Sequence, residues 1–91
     1  MKFVEGAPVF AVEVRSEGDY GTNAEEEMAR KRADHFEAGT LVVWDVDLLA
    51  AEVVCVHRAG ALQPTAYRRG EIAEAEPAVP GWRMRVDELF E

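Results

Sequence analysis

Cysteine is almost missing from this 91-residue chain: Cys55 stands alone. One thiol cannot close an internal disulfide, so a stapled secreted scaffold is excluded and a reducing cytoplasm fits. Cys55 lies in the strand-like run Glu52-Val53-Val54-Cys55-Val56-His57, which reads as a buried, inert thiol and not a nucleophile. Long hydrophobic runs are missing too. Residues 1–6 lack an apolar stretch of signal-peptide length, and no segment approaches the about 20 apolar residues of a spanning helix. No membrane partner is expected. Positive charge is scarce: 10 basic against 18 acidic residues leave a formal net charge of −8. That balance argues against loose adhesion to nucleic acid or anionic lipid, but not against a local basic strip. A Gly-rich phosphate loop, a Ser-His-Asp set, a cysteine cluster and internal repeats are all absent.

What is present suits one soluble domain over residues 1–91. Hydrophobic residues make up 48% and charged residues 31%, enough apolar material for a modest core. The chain is organised around residues 9–47, read as strand, helix, strand. Residues 9–14 form an almost continuous apolar run, with Phe10, Val12 and Val14 on one face and Val9, Ala11 and Glu13 on the other. Residues 15–21 read as loop. A helix is expected over about 23–38: Thr22 and Asn23 offer N-cap side chains, Glu25 and Glu26 complete a capping box, and Gly39 ends it. Its inward stripe is Ala24, Met28, Lys31, Arg32 and His35, with Phe36 at the margin. Glu27, Arg30, Asp34 and Glu37 point to solvent.

Residues 41–46 read as a strand covered on both faces. Two such strands joined through a helix make a parallel crossover unit. A third strand over 52–57 and a fourth over 62–67 form a hairpin, with Pro64 confining the fourth to an edge. Residues 71–78 read as a loose strand or extended loop. Pro80-Gly81 turns the chain into a half-buried strand carrying Trp82, Met84 and Val86. Asp87 is expected to cap a last turn that packs Leu89 and Phe90 on the core. The fold class is therefore α/β: a mixed sheet on a crossover, then an antiparallel hairpin and a C-terminal strand.

Two residues sit awkwardly in this scheme. Glu13 interrupts an apolar strand and needs an edge position, a cation or a metal. Lys31 shares the inward stripe with Met28, where it either snorkels or serves a site. Acids elsewhere have plainer readings. Glu17 and Asp19 in the loop are solvated unless one supplies a second acid, and Asp45 and Asp47 flank a strand end, where Asp47 suits a turn. His35 and His57 show no metal-type spacing together. Arg68, Arg69, Arg83 and Arg85 are either a phosphate-facing patch or solvated strand faces.

These stretches, taken in order, resemble the Uma-two family of restriction endonucleases within the PD-(D/E)XK nuclease superfamily. The resemblance is carried by Ala11-Val12-Glu13-Val14, by Ser16, and by the run Lys31-Arg32-Ala33-Asp34-His35-Phe36-Glu37-Ala38-Gly39-Thr40. It continues in Val43-Trp44-Asp45-Val46-Asp47 and in Val79-Pro80-Gly81-Trp82 through Leu89-Phe90. It implies a partial restriction-endonuclease-like core, DNA as partner, and phosphodiester hydrolysis with Mg2+ or Mn2+. By this resemblance Glu13 is the metal-binding glutamate and Lys31 a catalytic lysine that has moved onto the helix. His35 stands where relatives more often carry tyrosine, and Asp19 and His35 are accessory candidates. The chain departs from the family pattern at Pro8-Val9, where relatives often read Pro-Asp, and the preceding acid-bearing strand has no counterpart in these 91 residues. The expectation is thus of an N-terminally truncated endonuclease with impaired metal binding. Its alternative is an inactive remnant with a structural or interaction role, self-associating through the edge of strand 9–14.

Overall fold

The computed structural model describes residues 9–15 and 21–90, without the side chain of Thr22. Strand β1 (Phe10–Val14) runs parallel to β2 (Val42–Val46), and helix α1 (Thr22–Glu37) connects them. Strand β3 (Glu52–Arg58) pairs antiparallel with β2, and β4 (Thr65–Arg68) pairs antiparallel with β3. The sheet order is β1-β2-β3-β4. A second antiparallel pair, β5 (Ile72–Glu74) with β6 (Arg83–Arg85), is followed by a 3-10 turn over Val86–Phe90. The expected mixed α/β architecture is the observed one.

The central strand explains the layering. All five residues of β2, Val42-Val43-Trp44-Asp45-Val46, are buried, as β-branched and aromatic residues covered on both faces should be. Register places Phe10, Val42, Val46, Val54 and Val56 on one face with Trp44. That face meets Ala73, Ala75 and Val86 from the second hairpin and the 3-10 turn, and this is the hydrophobic core. Phe10, Trp44 and Trp82 form an aromatic cluster with centroid separations of 5.3–5.9 Å. Burying an indole requires a partner for its N–H, and Trp44 Nε1 donates to the Glu74 carbonyl at 3.1 Å. Arg58 ties the layers further, donating through Nε to the Glu76 carbonyl at 2.8 Å and pairing with the Glu74 carboxylate.

The opposite face carries α1. Among its described side chains Met28 is the one buried, while Ala24, Arg32, His35 and Phe36 are half-buried and Glu27, Arg30, Asp34 and Glu37 exposed. The expected stripe is therefore real, with one correction: Lys31 lies exposed. A helix neighbour 100° away, Arg32, takes the inward place because its longer planar head reaches an acid on the sheet.

Other local expectations are corrected. The helix begins at Thr22 with Gly21 at its N-cap, in a φ of 100°, and no side chain caps it. Glu25, expected in a capping box, turns instead to Arg15. The fourth strand starts only after Pro64, and Leu62 is fully exposed in the connection. Residues 72–74 are a paired strand, because β6 supplies the partner that the local pattern could not reveal. Asp87 binds the β4–β5 turn, accepting from Gly70 N and Arg69 Nε at 3.2 Å each, and Phe90 lies under the Arg69 guanidinium and not in the core. Val12 and Val14 share Phe10's face as expected, yet stay 47% and 59% exposed. The second hairpin covers β2 and β3 but does not extend over the end of β1.

Candidate functional site

The helix-facing side of the sheet is polar where a packing argument would make it greasy. Register sets Glu13 directly beside Asp45, and Asp45 beside Cys55, on one face. Arg15 continues the same face one step beyond β1, its backbone N–H still donating to Val46 O at 2.9 Å. Two neighbouring carboxylates in a covered sheet repel each other and cost solvation, so cations must follow. They come from both layers.

Asp45 is held by arginine. Arg15 Nε donates to Oδ1 at 3.0 Å and Nη2 to Oδ2 at 2.9 Å, a bidentate fork, and Arg32 Nη1 lies 3.5 Å from Oδ2. The side chains of Arg15 and Asp45 are only 8% and 9% exposed. Arg15 also reaches Glu25 on the first turn of α1, with Nη2 donating to Oε1 at 2.9 Å and Nη1 to Oε2. One guanidinium thus bridges strand and helix. Its own pKa is driven further up, first by Glu25 and then by Asp45. Glu25 is correspondingly held below its ordinary 4.5, mainly by the hydrogen bonds from Arg15.

Glu13 has a different companion. His35 Nε2 donates to Glu13 Oε2 at 3.1 Å, with both side chains 28% exposed. The structure therefore brings Glu13 and His35 together. Lys31, one helical turn earlier, makes no ion pair or hydrogen bond among the described residues. Asp19 and Glu17 lie outside the described residues, as does Ser16. His57 sits half-buried on this face across from Val43, held below its ordinary 6.5 first by burial and then by Arg32. Burial, reinforced by Asp45 and Glu52, raises the Cys55 thiol, which keeps it protonated and unreactive.

Beside this layer a cleft of about 410 Å³ opens at the carboxyl ends of β1 and β2, lined by Arg15, Glu25, Asp45, Asp47, Glu52 and Cys55. Crevices at this end of parallel strands are where α/β sheets commonly place ligands. It does not include Glu13 or His35. Among the described residues no three His, Cys, Asp or Glu side chains converge as a metal cage. Asp45 on this face and Glu25 on the facing helix are bound by guanidinium groups, whereas the Glu13 carboxylate meets the His35 imidazole. An open site with two protein donors, completed by water and substrate phosphate, is a usual form for a hard cation. The residues present fit such a site and no tighter one.

Sequence reasoning missed Arg15, Arg32 and Asp45. The signal was available in part: an acid inside a strand covered on both faces demands cations, and Arg15 and Arg32 are the ones on the facing positions.

A mixed-sheet α/β domain with an acid-bearing parallel strand under its crossover helix is consistent with a partial nuclease-like core. The sequence model of the Uma2 family, described as "Putative restriction endonuclease", matches residues 1–87, and the chain belongs to that family. A search of curated proteins found no match. No helix of the described residues is long and apolar enough to cross a membrane.

The polar layer sets a pH dependence. Below its ordinary 6.5, the His57 imidazole takes up a proton in the unfolded chain that the folded chain resists, so stability falls as pH drops through that value. Glu25 adds a second loss below its ordinary 4.5, as acid protonates the carboxylate that Arg15 holds. Urea midpoints measured across this range should decline, and His57→Gln should flatten the upper part of the decline while leaving the lower part in place.

Proposed function

We propose that this Uma2-family chain is a metal-dependent endonuclease domain that hydrolyses DNA phosphodiester bonds, with Glu13 at its centre. The observation that carries this reading is the position of Glu13. It is an acid on the helix-facing side of the parallel strand, partly open to solvent and left free of the arginines that neutralise its neighbour Asp45. Glu13 provides the carboxylate for Mg2+ or Mn2+, with the His35 imidazole beside it. A divalent ion, when bound, acidifies water and stabilises charge on the phosphate. Lys31, exposed on α1 a turn before His35, offers an unpaired ammonium to a phosphate oxygen or to the attacking water. Asp19 stands as an accessory acid in the same reading. A reducing cytoplasm suits the free Cys55.

In a plasmid-nicking assay with added Mg2+ or Mn2+, the wild type should cut. Glu13→Gln should reduce the rate by about a hundredfold or more, and Lys31→Ala by about tenfold or more. Equal inertness of wild type and Glu13→Gln would sink the reading.

A second reading, a catalytically inactive module that acts through protein contacts, is favoured by one observation. β1 is an edge of the sheet among the described residues, and it exposes Val12 and Val14. An uncovered apolar edge strand recruits another strand. On this reading the chain sediments as a dimer, and Val12→Lys with Val14→Lys returns it to monomer. A wild type that is monomeric at all concentrations removes the support.

A further inference from the structure

The arginine lock on Asp45 has a consequence for the metal. Two in-register carboxylates, Glu13 and Asp45, would make an all-oxygen pair suited to Mg2+. Asp45 is withdrawn from that role, because both its oxygens accept from Arg15 and one also faces Arg32. Releasing it would take from Arg15 its buried partner and from Arg32 its ion pair in a mostly buried layer, which is costly. The donor that meets Glu13 is instead a nitrogen. His35 Nε2 and Glu13 Oε2 are 3.1 Å apart. Two adjacent ligands that each bind one ion at ~2.1 Å lie roughly 3 Å from each other, so once the imidazole proton sits on Nδ1 and frees the Nε2 lone pair the same two atoms can turn from one another to a shared cation with little movement. Neither side chain needs unburying, since each keeps 28% exposure.

Resting on the nuclease reading above, we propose that His35 is a metal ligand together with Glu13. The resulting oxygen–nitrogen pair makes the centre selective for a borderline divalent ion such as Mn2+ over Mg2+. Imidazole binds transition ions far better than it binds Mg2+, which keeps its waters and prefers oxygen. With only two protein donors the site is an open one, holding the ion loosely until a phosphate completes its shell. The cleft at Asp47 and Glu52, which Arg15 and Arg68 also line, is a competing location for a cation on this protein. It is all oxygen on its acidic side, so its preference runs the other way.

The experiment uses the full chain and the metals alone. Mn2+ binding is followed by loss of the free-ion electron paramagnetic resonance signal, Mg2+ by competition, and the ligand atoms by nitrogen modulation in the Mn2+ spin echo. The wild type should bind Mn2+ more tightly than Mg2+ on the order of tenfold and show imidazole modulation. His35→Gln should bring the two affinities together and abolish the modulation, and Glu13→Gln should remove the binding. His57→Gln and Glu52→Gln should leave both affinity and modulation in place. Equal Mn2+ and Mg2+ affinities without nitrogen modulation, or binding lost in Glu52→Gln and kept in His35→Gln, would overturn the inference while the nuclease reading stood. Failure of the wild type to bind either ion would overturn both.

Discussion

Asp45 sits in the middle of a four-stranded sheet with less than a tenth of its side chain in water, and it is tolerable there because Arg15 forks onto it. That contact governs the helix-facing half of the molecule. The same guanidinium holds Glu25 on the first turn of α1, so the strand end, the central strand and the helix start are fastened by one side chain. Buried ion pairs seldom add net stability over a well-packed apolar set, but breaking one partner leaves an uncompensated charge. The arrangement therefore specifies geometry: α1 has one position over the sheet in which Arg15, Arg32 and His35 all find their acids.

The two faces of the sheet do different work as a result. The far face is conventional, with valines, Phe10, Trp44 and Trp82 interdigitated and closed by the second hairpin. Fully burying each large apolar side chain there contributes roughly 1.5–3 kcal/mol, and this is where a 91-residue chain finds its stability. The near face gives up apolar burial for charge, and within it the acids are unequal. Asp45 and Glu25 are held by guanidinium groups, whereas Glu13 meets the His35 imidazole. On the nuclease reading proposed above, Glu13 is the acid of this face that serves chemistry and Asp45 the one that serves structure.

The strand Val42–Val46 announces itself by composition, and α1 by its stripe, because burial acts on local periodicity. The oddity of Glu13 was visible for the same reason. The arginine lock was not, since it depends on which residues of β1 and β2 stand side by side, and parallel register is set by the crossover and not by either strand alone. Arg15 looked like the start of a loop because it follows the last apolar residue of β1. Lys31 and Arg32 are neighbours at the edge of one stripe, and only the position of Asp45 decides which turns inward. Ile72–Glu74 carries little pattern of its own and becomes a strand because β6 pairs with it.

The account turns on Arg15 and Asp45 acting as a unit. A double-mutant cycle with Arg15→Met and Asp45→Asn, read by urea unfolding at neutral pH, measures that directly. The account predicts single losses that are not additive, with a coupling energy of about 2 kcal/mol or more. A coupling within about 0.3 kcal/mol of zero would contradict it.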